Sequence, residues 1–190
     1  MYVGGNIHGE DGLILHSKYP LSKIHIYEPV PSFFDELVSY WKIQQQGNNV
    51  RVAFHEYGLG MHNKTLFIDT ADLDGQGTFI MDADISHGLI KLQIIDAASE
   101  IDGIFATEGP VFLLHMNCEG CEWEFFNSAF QSNRISQIPT IQFSLHYLPL
   151  DRSADEIGLH YCRIHETLSQ THSLDFGVPF AWQRWTKKKE

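Results

Sequence analysis

Three shortages in the sequence each remove a class of function. Positive charge is scarce: 13 Lys and Arg stand against 24 Asp and Glu, for a formal net charge of −11. A surface so poor in cations does not displace the counterions of a nucleic-acid backbone, so nonspecific nucleic-acid binding is excluded. The basic run Lys187-Lys188-Lys189 is local and reads as a solvated tail. Long apolar runs are missing as well. None approaches the ~20 residues that cross a bilayer, and no basic-then-apolar signal opens the chain, so no membrane segment is predicted. Cysteine is the third shortage, with 3 in 190 residues. An odd, low count predicts a reducing compartment, the cytoplasm, and no disulfide framework. The 11 histidines are scattered rather than set at metal-ligand spacing, and no metal is predicted.

What is present describes one ordinary globular domain over residues 1–190. Hydrophobic residues make up 43% and charged residues 19%, enough to bury a sizeable core. Lys23–Tyr27 alternates and stops at Glu28-Pro29, as a strand halted by proline does. Pro31 and Ser32 open a helix in which Asp35 and Glu36 favour the positive end of the dipole. Arg51–Tyr57 reads as the next strand, closed by Gly58-Leu59-Gly60. Thr65–Asp69 and Thr78–Met81 suggest a hairpin around Asp72–Gly77. Leu89–Ile95 alternates as a strand, and Ala97–Ile104 holds one or two helical turns. Thr140–Tyr147 is a further strand, Ser153-x-x-Glu156 a capping box, and Ser173–Thr186 an aromatic, strand-like end. Strands alternating with helices predict an α/β domain on a mostly parallel sheet.

The chain is organised around Pro110–Ser128. Val111–Met116 is an apolar run suited to a buried strand. Asn117, Glu119, Glu122 and Glu124 then interleave with Cys118, Gly120 and Cys121, and apolar residues return at helical spacing from Trp123. In open α/β sheets ligands sit beyond the carboxyl ends of strands. Two readings stay open: the floor of a cofactor site, or a Cys-x-x-Cys redox or zinc site. Against the second, Cys162 is the remaining thiol, and the chain between Cys121 and Pro139 has room for only one helix. The cysteines are expected as buried packing residues. Glu119 and Glu122, three apart at a helix start, are expected to share a face, with His146 ending the neighbouring strand. The plain alternative for these glutamates is compensation of the helix dipole. Earlier in the chain, Gly4-Gly5-Asn6 follows a strand, and Glu28 ends the next one a little over twenty positions on. That spacing suits a glycine turn that admits a ligand closely and a carboxylate that binds both hydroxyls of a ribose; a simple turn and a strand-ending carboxylate fit equally. Phe176, Phe180, Trp182 and Trp185 are expected to pack in the core or on an edge strand.

Taken together, Val3-Gly4-Gly5-Asn6-Ile7, Ile26-Tyr27-Glu28-Pro29, Leu113-Leu114-His115-Met116-Asn117-Cys118-Glu119-Gly120-Cys121-Glu122 and Ile141-Gln142-Phe143-Ser144-Leu145-His146 resemble the FkbM-type methyltransferases. These have the Rossmann-like class I S-adenosylmethionine-dependent fold. The likeness runs from residue 2 to the end, and Tyr161-Cys162, Thr171-His172, Pro179-Phe180-Ala181-Trp182 and Trp185 resemble a eukaryotic branch. The resemblance implies a seven-stranded sheet with helices on both faces. It implies that Gly4, Gly5 and Asn6 hold the methionine part of S-adenosylmethionine, that Glu28 binds the ribose, and that the segment at Gly58 approaches the adenine. Asn117 through Glu122 would floor the site, with Glu119, Glu122 and His146 the candidates to take a proton from a hydroxyl or amine of a small molecule or glycan. His115 and Asn117 stand where the common pattern has Lys and Asp. Of the family's first strand only Tyr2 and Val3 are present, which suggests a fragment or a pared-down fold. A catalytically inactive, methyltransferase-like binding module is the alternative.

Overall fold

A computed structural model of the chain describes residues 1–20, 22–45, 51–69, 89–146 and 153–189. The fold is α/β, with mostly parallel strand pairing and flanking helices that alternate with the strands. The chain divides into two compact units, Met1–Gly58 with Lys64–Ile94, and Leu59–Asn63 with Ile95–Glu190.

In the first unit β1 (Tyr2–Val3), β2 (Lys23–Tyr27) and β3 (Arg51–His55) run in parallel, with Val3 opposite Tyr27 and Tyr27 opposite His55. Parallel neighbours need crossover connections, supplied here by α1 (Glu10–Lys18) and α2 (Pro31–Gln44). Alternation along β2 sends Ile24 and Ile26 to one side, where Tyr2, Leu37 and Trp41 complete a buried cluster. Leu37 alone, fully buried, contributes roughly 2 kcal/mol. The Trp41 indole N–H donates to the His8 carbonyl at 3.0 Å, so the largest side chain of that cluster has its polar atom satisfied. Pro31 sits at the start of α2, where its missing N–H is no loss. Because the helix begins there, Asp35 and Glu36 fall beyond its first turn, which holds no acidic residue; the expected dipole compensation is not made there.

After β4 (Gly58–Gly60), β5 (Lys64–Asp69) pairs antiparallel with β6 (Leu89–Asp96), from Lys64 opposite Ile94 to Asp69 opposite Leu89. The sequence predicts Thr78–Met81 as the partner of Thr65–Asp69. In the structure β5 pairs with β6, whose alternating Leu92 and Ile94 join Val30, Leu66 and Ile68 in a second cluster. Thr78–Met81 and the turn at Asp72–Gly77 lie outside the described residues.

In the second unit α3 (Ala97–Thr107) runs for 11 residues, longer than the sequence predicts. Asp96 caps it by accepting from the Ser99 N–H at 2.8 Å, and Ile101 and Ile104 are buried at helical spacing. The remaining elements are β7 (Leu113–Met116), α4 (Cys121–Ala129), β8 (Thr140–Ser144), α5 (Ala154–Thr171), β9 (His172–Gly177) and β10 (Trp182–Lys187). The strand order is β7-β8-β10-β9; β7 and β8 are parallel, and β10 runs antiparallel to both its neighbours. The capping box of α5 forms as predicted, with Ser153 and Glu156 each bonding the other's backbone N–H. Phe143 of β8 and Trp185 of β10 face the helices, meeting Phe126 of α4 at 4.8 Å and His165 of α5 at 5.0 Å between ring centroids. Trp185 is core, whereas Phe176, Phe180 and Trp182 are exposed on the β9–β10 hairpin. Among the described residues no helix is long and apolar enough to cross a membrane.

Candidate functional site

The glycine turn of the first unit is built against the end of β2. Gly4 and Gly5 donate their N–H groups to the Tyr27 carbonyl at 3.1 and 3.0 Å. A Cβ on Gly5 would stand 2.8 Å from Ile26 Cγ2 and 2.9 Å from Leu37 Cδ2, so this glycine lets the turn lie flush on strand and helix. Asn6 takes a left-handed conformation, φ 49°, that asparagine tolerates. Its N–H thereby reaches Glu28 Oε2 at 2.8 Å, while Val30 N–H donates to Oε1 at 2.9 Å. Glu28 is 5% exposed. Burial pushes its pKa up, against the pull of the Val30 and Asn6 amides, to about 7. The structure therefore brings Gly4, Gly5, Asn6 and Glu28 together as the sequence predicts. Gly58 is buried, and a Cβ there would meet Ile94 Cδ1 at 2.8 Å and Pro29 Cγ at 3.4 Å. Close packing is one reason for a glycine there.

The sequence carries less warning of the aromatic chain beside this turn. His25 Nδ1 lies 3.0 Å from His55 Nε2, and His55 Nδ1 lies 2.9 Å from the Tyr57 hydroxyl. Tyr27 stacks on the His55 ring at 4.5 Å. The one signal for it is alternation: His25 and Tyr27 on β2, and His55 on β3, fall on one face.

In the second unit, Glu119, Glu122 and His146 converge. Glu122 is fully buried. Its Oε1 accepts from Cys118 N–H at 3.0 Å and from His146 Nδ1 at 2.8 Å, and its Oε2 accepts from Gly120 N–H at 2.9 Å. The other ring nitrogen of His146, Nε2, is 3.4 Å from Glu119 Oε1. The main chain of His146 is held as well, because the Trp123 indole N–H donates to the His146 carbonyl at 2.8 Å. Burial works against the imidazolium, but the hydrogen bond and charge of Glu122, with the charge of Glu119, outweigh it and raise the His146 pKa above its ordinary value. Asn117, between β7 and this turn, is half-buried.

Two expectations are corrected here. Glu119 does not share a helical face with Glu122: it precedes α4, with φ 55°, and the two carboxylates meet through His146. Nor are Cys118 and Cys121 buried packing residues. They are half-buried and joined to each other, with Cα atoms 5.5 Å apart, while Cys162 is free and exposed. A span of three residues allows that bond because Glu119 and Gly120, φ 55° and 107°, both turn left-handed and fold the chain back. Among the described residues there is no cluster of three or more His, Cys, Asp or Glu that could hold a metal ion.

Chemically, a histidine that donates Nδ1–H to a buried carboxylate presents an unprotonated Nε2 when neutral, which is the form a general base needs. The tautomer follows from the acceptor character of Glu122. Glu122 itself is fully buried and holds three donors, so of this pair His146 is the group left to exchange a proton. Comparison with protein-family profiles, curated proteins and solved structures finds no match to the chain.

Proposed function

We propose that the protein is a cytoplasmic, S-adenosylmethionine-dependent methyltransferase of the FkbM type, acting on a hydroxyl or amine of a small molecule or glycan. The observation that carries this reading is the His146–Glu122 pair just beyond β7 and β8, where the resembling sequences place the floor of the methyl-transfer site. The first unit supports it independently. Each oxygen of Glu28 accepts one amide, and an ionised carboxylate offers about four lone-pair positions, so two acceptor positions remain for a vicinal diol. The residues present thus fit a ribose in kind. The Gly4-Gly5-Asn6 turn bonded to Glu28 and Tyr27 is rigid enough to orient the cofactor's methionine end.

When bound, the cofactor supplies an electrophilic methyl group on a sulfonium. The chain's own part is to align the acceptor and remove its proton. His146 takes that proton at Nε2, and Glu122 holds the ring in the required tautomer and stabilises the imidazolium. Glu119 reaches the same nitrogen and stabilises its charge. Glu28 orients the ribose while ionised.

A second reading, a binding module without turnover, is favoured by Asn117 in place of the family's acidic residue and by Glu122 taking two of its three hydrogen bonds from nearby backbone N–H groups. Titration calorimetry with S-adenosylhomocysteine tests the first reading. Binding by the full chain, abolished in Glu28→Ala, is expected; no binding by a folded chain overturns it. Binding without methyl transfer to any of a panel of hydroxyl and amine acceptors selects the second.

A further inference from the structure

Acid–base chemistry at His146 does not by itself require the bond between Cys118 and Cys121. That bond encloses Glu119 and Gly120, and the enclosed turn supplies most of what touches His146 and its partner. The N–H groups of Cys118 and Gly120 both donate to Glu122, and the Glu119 carboxylate stands 3.4 Å from His146 Nε2. Left-handed backbone at Glu119 is disfavoured for a residue with a Cβ, and such residues persist where their surroundings over-determine them. The covalent closure of the turn supplies that constraint.

We propose that the Cys118–Cys121 disulfide is a reversible redox latch on His146: closed, it holds Glu119 against Nε2; opened by a dithiol, it releases Glu119 and leaves the imidazole to Glu122. In the opening step the S–S bond takes up two electrons and two protons and becomes two thiols. The external dithiol loses the same and leaves as its own disulfide; oxidation is the reverse. Glu122 keeps its hold on Nδ1 because it belongs to α4, whose helical hydrogen bonds do not run through the sulfurs. Among the described residues, the charged groups facing the imidazole are Glu119 from the turn and Glu122 from α4. Trp123 of α4 binds the His146 carbonyl, and His160 of α5 packs on Trp123 at 5.0 Å with its Nε2 on Asn127. Losing Glu119 therefore removes one of the two carboxylates that favour the imidazolium, and the titration midpoint of His146 falls on reduction. The consequence for methyl transfer rests on the function proposed above; the latch does not.

Nuclear magnetic resonance titration of His146 in the full chain, with and without dithiothreitol, tests the proposal. Iodoacetamide labelling with mass measurement reports the thiols: Cys162 alone is expected in the air-oxidised protein, and all three cysteines after reduction. The expected result is a lower midpoint in the reduced protein, with the difference removed in Glu119→Gln. Equal midpoints, a higher midpoint on reduction, a difference that survives in Glu119→Gln, or three labelled cysteines in the air-oxidised protein would each overturn it. A Cys118→Ser/Cys121→Ser double variant is expected to titrate like the reduced wild type. If that variant does not fold, the dithiothreitol comparison on the wild type carries the test. Calorimetry with S-adenosylhomocysteine on the same samples separates the two claims, since absent binding overturns the methyltransferase reading and leaves the titration standing.

Discussion

Replacing Glu122 in steps measures how the acidic turn is held together. Glutamine keeps the shape of the side chain. With its oxygen at the Oε1 position it still accepts from Cys118 N–H and His146 Nδ1, but its NH₂ then faces the Gly120 N–H, which loses its acceptor. One donor left without a partner in buried surroundings costs about 1–3 kcal/mol. Alanine removes all three contacts and leaves both amides bare, for a cost of about 3–5 kcal/mol, as for breaking other buried charged networks. Glu119→Gln touches a half-exposed carboxylate and changes stability by less than about 1 kcal/mol. The assay is urea unfolding monitored by circular dichroism at several pH values. The sign of the pH dependence comes from His146. Its folded pKa is raised by Glu122, so the stability this pair contributes is fully present below the unfolded histidine pKa and fades as pH rises through the folded one. The gap between wild type and Glu122→Gln therefore narrows with rising pH across that window. A gap of the same size at every pH, or an alanine variant no less stable than the glutamine variant, refutes the argument.

The first unit gives two more expectations, and the second unit a third. Glu28 has a folded pKa of about 7, raised from an ordinary 4.5 by burial, so the folded state holds the proton more tightly than the unfolded chain. Stability is then lost as pH rises from about 4.5 through 7, by about 3 kcal/mol in all, and the difference in unfolding free energy between wild type and Glu28→Gln should fall by that order across the window. Gly5→Ala, which forces a methyl group against Ile26 and Leu37, should lower stability by about 1–3 kcal/mol. Gly103→Ala, inside α3 with nothing within 4 Å of the new atom, should raise it by up to about 1 kcal/mol; thermal denaturation ranks both.

Elements with strong local signals were legible in the sequence, and the site was legible only in outline. Lys23–Tyr27 has the bounds observed for β2, because alternation starts the strand and Pro29 prevents its continuation. The Ser153–Glu156 box needs only residues three apart, so a short window contains all its information. Pairing of β5 with β6 joins strands distant in the sequence, so no short window contains it. At the site, the gathering of Glu119, Glu122 and His146 was legible from strand ends lying side by side. Their division of labour was not. It depends on Glu119 taking φ 55°, which puts its side chain outside the helix and lets the cysteines meet. Periodicity assumes a right-handed backbone and cannot represent that choice.

The chain of groups from His25 through His55 to Tyr57 has a directional consequence. A neutral imidazole carries one N–H, so whichever nitrogen of His55 donates, the other must accept. If His25 donates from Nδ1 to His55 Nε2, then His55 Nδ1–H points to the Tyr57 oxygen; if Tyr57 donates, His55 Nε2–H points back to His25. The polarity of the whole row is thus a single two-valued variable rather than three independent ones. Reversing it moves a proton at every position while the heavy atoms stay where they are, so a change at Tyr57 on the surface side is felt at the buried ring of His25.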